Sequence, residues 1–183
     1  MDALECILSR RSVRKYTPDP VSEEDLARIL EAVRFAPSWA NTQCVAWIRV
    51  QDPERRQALQ QTLPDGNPAR RAVVEAPVLL ALCARKGLAG YYKDQPATVH
   101  GDWHMFDAGI AVQTLSLAAW ALGYGTVNVG LLDHRAAAEI LRLPGEMDLL
   151  ELVPLGRPAS VPRPPERKAL DAIVWREVHG DKP

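Results

Sequence analysis

The chain is poor in cysteine: its 183 residues include three, Cys6, Cys44 and Cys83, an odd number at wide spacings. A disulfide framework is therefore excluded, and no Cys-x-x-Cys pair is present for a zinc or redox site. Long apolar runs are also absent, because the most apolar segment, 108–122, contains polar residues and is too short to cross a bilayer. The acidic start of the chain lacks the pattern of a signal peptide. These absences predict a cytoplasmic protein with reduced thiols and no membrane partner.

Neither sign of charge is in excess, since the formal net charge is −1 and the pI is about 6.4. A nucleic-acid-binding surface needs a basic face, so no nucleic-acid partner is expected. The chain has no Gly-x-Ser-x-Gly, and none of its glycines form Gly-x-Gly-x-x-Gly after a strand. His100 and His104 are four residues apart, but no third ligand stands at a recognised spacing. We therefore predict neither a metal site nor a dedicated dinucleotide fold.

Length and hydrophobic patterning predict one α+β domain over residues 1–183, with a mixed sheet and a buried helix. Three predicted helices begin after the capping residues Asp2, Ser22 and Asp133, and two more cover 53–63 and 103–122. The predicted strands are 45–50, 77–84, 126–129, 149–155 and 173–178. Segment 87–101 is polar and is predicted to be a mobile loop or lid. The proline-rich segment 156–165 is predicted to be a stiff arm that reaches another surface.

A basic cluster stands out against the neutral background. Arg10, Arg11, Arg14 and Lys15 lie within six residues, with the hydroxyl of Ser12 between them. Guanidinium groups beside a hydroxyl at a helix end suit a phosphate, because arginine donates two parallel N–H bonds to phosphate oxygens. From these residues alone, a solvated basic face is an equally good interpretation. The same two alternatives hold for Arg167, which follows the proline-rich arm.

Two further segments have the composition of ligand-binding loops. In segment 37–43 the amides of Asn41 and Gln43 can both donate and accept, which suits the edge of a heteroaromatic ring. In segment 123–130 three glycines allow close approach of the backbone to a flat ligand. Taken alone, the first segment also fits a loop that ends a helix, and the second fits a helix C-cap and a turn.

Read in order, these segments resemble the nitroreductase family of flavin mononucleotide (FMN) oxidoreductases. The matching segments are 10–16, 36–43, 107–113, 118–123, 155–158 and Arg167. The resemblance spans nearly the whole chain with the segments in the right order and spacing. It implies a nitroreductase-like α+β fold whose mixed, mainly antiparallel central sheet is flanked by helices. It also implies an intertwined homodimer with FMN at the subunit interface, and a C-terminal arm exchanged onto the partner.

The resemblance also implies which residues bind the cofactor. Those that would hold the FMN phosphate and ribityl chain are Arg10, Arg11, Ser12, Arg14 and Arg167. Those that would reach the flavin from the partner subunit are Pro37, Ser38, Trp39 and Asn41, with Gln43 close by. Those that would lie beside its reactive face, where a backbone N–H meets N5, are Asn128, Val129 and Gly130. No side chain is expected to be catalytic, because the flavin N5 carries the chemistry.

The implied activity is an FMN-dependent NAD(P)H oxidoreductase. NADH or NADPH would pass a hydride to flavin N5 and leave, and an electron-poor nitroaromatic or quinone would then enter the same slot in a ping-pong cycle. The alternatives are a flavin-consuming relative of the same fold and a non-enzymatic FMN-binding protein. A phosphopeptide- or nucleic-acid-binding module is the weakest, given the net charge. The sequence departs from the family pattern at Cys44-Val45 and at Asn128, which leaves the shape of the substrate pocket open.

Overall fold

A computed structural model describes residues 2–181 of the chain. Its strands are β1 (Val45–Arg49), β2 (Val78–Arg85), β3 (Tyr91–Tyr92), β4 (Gln95–Pro96), β5 (Gly125–Thr126) and β6 (Met147–Gly156). Four of them form a central antiparallel sheet in the order β1-β2-β6-β5, and β3 and β4 form a separate hairpin. The sheet was predicted to mix parallel and antiparallel pairing. Within residues 2–181 the parallel pairing is limited to one bridge, between Ser12 and Thr126.

The α-helices of the described residues are α1 (Ala3–Ser9), α2 (Glu23–Arg34), α3 (Pro53–Gln61), α4 (Arg70–Glu75), α5 (His104–Ala121) and α6 (His134–Ile140). The predicted caps are found, since Asp2, Ser22 and Asp133 each accept a hydrogen bond from the backbone N–H three residues on. Helix α5 ends where Gly123 adopts φ +83°, as its predicted capping role requires. Helix α4 was not predicted, because it is six residues long and no side chain caps it.

Helices cover both faces of the sheet, because β2 is apolar on both of its sides. On one face α2 and α5 bury Ile29 and Leu115 against Leu80. On the other face α3, α4 and α6 bury residues such as Leu59 against Leu79. The central position predicted for 77–84 is therefore confirmed by β2, in which every residue except the last is buried. Within the described residues, no helix is long and apolar enough to cross a membrane.

Two expectations about local structure were wrong. Segment 173–178 is not a strand: it is exposed, it contains a turn and a bend after the 3-10 helix Leu170–Ala172, and it pairs with no strand among residues 2–181. The strand expected over 126–129 stops after β5, and one isolated bridge at Val129 follows. Segment 87–101, predicted to be a mobile loop or lid, contains the β3–β4 hairpin and several backbone hydrogen bonds, including one from the Gly87 N–H to Asp102; its mobility stays a prediction.

Candidate functional site

The basic cluster and the C-terminal arm together line a cavity of about 380 Å³. Its lining residues are Arg10, Arg11, Ser12, Arg14, Pro162, Arg163, Pro165 and Arg167. Five of these eight carry a guanidinium group and none is acidic. So many positive charges around one small volume, with no carboxylate to neutralise them, form a site for an anion. The structure thus brings Arg167 to the cluster and adds Arg163, which the sequence analysis did not select.

The arginines of this cavity differ in whether their N–H groups already donate hydrogen bonds within the protein. Arg11 donates from Nη1 to the carbonyl oxygens of Leu8 and Arg10, both at 2.8 Å, and so stabilises the C-terminal end of α1. The Nε of Arg10 is buried and has no hydrogen-bond partner among residues 2–181. A buried donor without a partner costs about 1–3 kcal/mol. Arg10 therefore lines the cavity and also carries an unsatisfied buried donor.

The position of the cluster depends on a close contact with β5. The Val13 N–H donates to the Thr126 carbonyl at 2.8 Å, and the Val13 side chain is fully buried. A Cβ at Gly125 would lie 2.4 Å from Val13 Cγ2, so only glycine lets the two backbones come so close. This contact holds the arginine segment beside the strand that leads into residues 128–130.

Residues 128–130 present backbone groups at an open edge. Val129 exchanges both of its backbone hydrogen bonds with Leu152 of β6, at 2.9 and 3.0 Å. The Val129 carbonyl therefore points toward β6, and the N–H of Gly130, which shares the same trans peptide, points away from it. This N–H has no hydrogen-bond partner within the described part of the chain. Gly130 thus offers a free donor next to the exposed side chain of Asn128.

The backbone of the 37–43 loop is strained, and Asp107 of α5 anchors it through a hydrogen bond. Ala40, Asn41 and Gln43 all have φ between +42° and +56°, which is costly for residues with a Cβ. The Trp39 N–H lies 3.0 Å from both carboxylate oxygens of Asp107, which is buried. Strain of this kind persists only when the surroundings impose it, and it clusters at functional sites.

Short polar contacts complete this loop. The Ser38 hydroxyl accepts from the Gln43 N–H at 3.0 Å, and the Gln43 side-chain amide donates to the Asn41 side chain at 3.3 Å. The Trp39 ring packs on Trp103, with centroids 5.1 Å apart. A second cavity, of about 440 Å³, is lined by Pro37, Ser38 and Gln43 together with residues of α2, β1 and α5.

The predicted site residues therefore fall into separate groups within one chain. The arginine cavity and the 440 Å³ cavity share no lining residue. Residues 128–130 adjoin the arginine group through the Ser12–Thr126 bridge. Sequence reasoning missed Arg163, although its place inside the proline-rich arm before Arg167 was a usable signal. Sequence reasoning did not assign Asp107 to the 37–43 loop, because its contact with Trp39 spans 68 residues of chain.

Comparison with known proteins decides the family. The sequence model of the nitroreductase family matches residues 7–157. The chain belongs to the nitroreductase family. It is 32% identical to a Bacillus subtilis protein named FMN reductase NAD(P)H, over 97% of this chain and 74% of that protein. It is also 30% identical to the 5,6-dimethylbenzimidazole synthase of Rhodospirillum rubrum, over 96% of this chain and 90% of that protein.

Solved structures of this family confirm the predicted fold. The NADPH:FMN oxidoreductase of Vibrio harveyi, solved in complex with NAD+, superposes with a TM-score of 0.81 and 28% identity, covering 97% of this chain and 78% of that one. Nitroreductase A of Vibrio parahaemolyticus superposes with a TM-score of 0.82 and 29% identity, over 99% and 78% of the two chains. The nitroreductase-like α+β fold with an antiparallel sheet and flanking helices is thus shown.

This member of the nitroreductase family has unusual titratable groups near the site. Burial raises the pKa of Glu151, on β6, to about 7. Burial, and then the nearby charge of Asp107, raise the pKa of Cys44 to about 11. The ring nitrogens of His104 lie 2.8 and 3.1 Å from carboxylate oxygens of Asp102 and Asp148. No group of three or more potential ligands able to hold a metal is found within residues 2–181.

Proposed function

We propose that this chain is an FMN-dependent NAD(P)H oxidoreductase that reduces electron-poor acceptors of the nitroaromatic or quinone kind. In its general class it is a flavin-dependent NAD(P)H oxidoreductase, as the relatives named FMN reductase and NADPH-flavin oxidoreductase support. The observation that carries the proposal is the arginine cavity, with its five guanidinium groups and the unpartnered Nε of Arg10. The acceptor, the dimeric assembly and a cytoplasmic location stay predictions.

The residues present fit FMN. Its phosphate would be held by the arginine cavity, with Ser12 donating its hydroxyl and Arg163 added to the predicted set. Its ring would meet the free N–H of Gly130 beside Asn128 and Val129. When bound, FMN supplies a centre that accepts a hydride from NAD(P)H and passes it to the acceptor. The chain itself binds and orients, which is why no nucleophile or acid–base pair is assigned.

The single chain leaves large apolar surfaces uncovered, which supports a homodimer. Leu4 and Leu8 of α1 are 71% and 75% exposed. An open groove of about 550 Å³ runs along α5, lined by Met105, Phe106, Gly109, Ile110, Gln113, Thr114 and Leu117. Contiguous exposed apolar residues of this kind are typical of contact surfaces. We propose that two copies pair through α1 and α5, and that the 37–43 loop of each copy reaches the flavin bound by the other.

The C-terminal arm fits the same assembly. Every described residue from 159 onward is exposed, including Leu170, Ile173, Trp175 and Val178. The outer edge of β1 pairs with no strand among residues 2–181, so its backbone groups are open to a neighbour. We propose that segment 173–178 gains its ordered structure on the partner subunit, which explains why it is not a strand in the isolated chain.

The first test is whether the purified protein is yellow and bleaches anaerobically with NADH or NADPH. In the Arg10→Ala variant we expect the dissociation constant of FMN to rise about 10- to 100-fold, the loss of one charge-assisted hydrogen bond of about 1.5–3 kcal/mol. Arg28→Ala, at an exposed position of α2, is the control. Unchanged FMN affinity in Arg10→Ala would refute the assignment of the cavity.

The same preparation separates the alternatives. The product named for the Rhodospirillum rubrum relative contains a dimethylbenzene ring, as flavins also do, which keeps a flavin-consuming reaction under consideration. Chromatography of the flavin before and after reduction and exposure to oxygen distinguishes the two, because an oxidoreductase returns its FMN intact. A protein that binds FMN but is not reduced by either nicotinamide would be a carrier.

A further inference from the structure

The proline-rich arm is anchored at its base to the segment that follows the basic cluster. The Thr17 N–H donates to the Arg157 carbonyl at 2.9 Å, and the Ala159 N–H donates to the Lys15 carbonyl at 3.0 Å. An antiparallel bridge lies between these two bonds. Because Lys15 directly follows Arg14, the arm begins at a fixed position relative to the arginines of the cluster.

Beyond this anchor the arm is not held by backbone contacts. From Ser160 to Lys168 its residues are exposed, and its backbone makes no hydrogen bond with the rest of residues 2–181. Arg163 and Arg167 nevertheless line the same cavity as the arginines of the basic cluster. The direction of the arm therefore depends on the stiffness of the chain itself.

The sequence of the arm supplies this stiffness. Proline fixes its own φ angle, and the residue before a proline is restricted to extended conformations. Every residue from Val161 to Pro165 is a proline or directly precedes one. Arg163 lies between Pro162 and Pro164, so its own backbone is restricted in the same way. The stretch that leads from the anchor to the cavity thus has few accessible conformations.

We propose that the three prolines at 162, 164 and 165 are positioning residues, which hold Arg163 and Arg167 at the cavity before a phosphate binds. The inference rests on the proposed FMN site. A stiff arm loses little conformational freedom when its guanidinium groups bind the phosphate, whereas a flexible arm would be ordered at the expense of affinity. No acidic side chain lines the cavity, so none of its lining residues competes with a phosphate for these cations.

The first test compares FMN with riboflavin, which lacks the phosphate, in the full-length protein. The test variant replaces the three prolines of the arm by glycine and keeps every arginine. We expect its dissociation constant for FMN to rise about tenfold, and that for riboflavin to change by less than about twofold. The control variant replaces by glycine three exposed prolines that do not line the cavity, Pro64, Pro68 and Pro144, and should change neither constant.

The second test separates positioning from a general structural role. In an Arg163→Ala/Arg167→Ala background, the same three glycine substitutions should leave the FMN dissociation constant unchanged, because no guanidinium group remains on the arm to be positioned. The proposal is overturned by an equal tenfold loss in that background, by unchanged FMN affinity in the test variant, or by equal losses for FMN and riboflavin.

A third measurement needs no flavin. In the flavin-free full-length protein, we expect the backbone amide of Arg163 to show an NMR order parameter of about 0.85, and a value below about 0.6 in the test variant. If the wild-type protein binds no FMN, the proposed function fails, while this order parameter still decides whether the arm is stiff. A wild-type value as low as that of the glycine variant would overturn the proposal.

Discussion

Replacing Glu151 by glutamine should make folding stability less dependent on pH. Glu151 lies on β6 opposite Leu82, and its Oε1 is buried without a hydrogen-bond partner among the described residues. Burial raises its pKa from about 4.5 to about 7. Between these pH values the unfolded chain has released the proton that the folded chain still holds. The free energy of unfolding of the wild type therefore falls as pH rises from about 4.5 to about 7, and is level above.

The magnitude follows from that interval. At 1.36 kcal/mol per pH unit, moving from about 4.5 to about 7 corresponds to at most about 3.4 kcal/mol of stability lost by the wild type. Glu151→Gln cannot ionise and avoids this loss. Its free energy of unfolding, relative to the wild type, should therefore rise by about 2–3 kcal/mol between pH 4.5 and pH 8.

Urea unfolding at a fixed protein concentration measures this, because the stability of an oligomer depends on concentration. Glu139→Gln, at an exposed position on α6, is the matched control and should run parallel to the wild type. The reasoning is refuted if Glu151→Gln and the wild type keep a constant difference across the whole pH range. That result would mean that the carboxyl is ionised in the folded protein at a partner or solvent contact.

Two further variants test the packing beneath the site. Gly125→Ala should lower the free energy of unfolding by about 1–3 kcal/mol, because the new Cβ would meet Val13 at 2.4 Å. The displaced arginine segment should also bind FMN more weakly. Urea unfolding measures the first effect and flavin titration the second. Asp107→Asn should lower the pKa of Cys44 from about 11, because it removes the carboxylate charge beside the thiol; ultraviolet absorbance of the thiolate measures it.

Each of these variants has a control within the chain. A Cβ at Gly145 would meet nothing within 4 Å, so Gly145→Ala should leave stability and flavin binding unchanged. Burial alone raises the pKa of Cys83 to about 11, so the titration of Cys83 should not move in Asp107→Asn. Equal losses in both glycine variants would contradict the local clash with Val13, and equal shifts in both thiols would contradict the local effect of the Asp107 charge.

Local signals in the sequence predicted much of the fold. Asp2, Ser22 and Asp133 were identified as helix caps, and the all-round apolar pattern of 103–122 predicted the central helix α5 to within a residue at each end. These succeeded because a cap is decided by the next three residues and a buried helix by its own composition. The prediction of a strand at 173–178 was wrong for the opposite reason. A strand needs a partner strand, and this segment has none among residues 2–181.

The candidate site shows the same division. The arginines of 10–14 could be found from the sequence because they are adjacent in it. The role of Asp107 could not be found, because its contact with Trp39 spans 68 residues of the chain. Arg163 has a usable signal in its place before Arg167, but only the folded chain brings it to the arginine cluster. The Gly130 N–H is the clearest case: its direction follows from the pairing of Val129 with Leu152, which only the folded sheet defines.

The separation of the two cavities is itself an argument for assembly. The 37–43 loop has three non-glycine residues at positive φ and is anchored by the buried carboxylate of Asp107, so its shape is fixed before any ligand arrives. The arginine cavity shares no lining residue with the cavity beside that loop. Backbone strain of this kind is maintained by its surroundings and is concentrated at functional sites. In the homodimer proposed above, a second copy of the chain would bring the 37–43 loop to the arginine cavity. The exposed apolar faces of α1 and α5 are where that copy would pack.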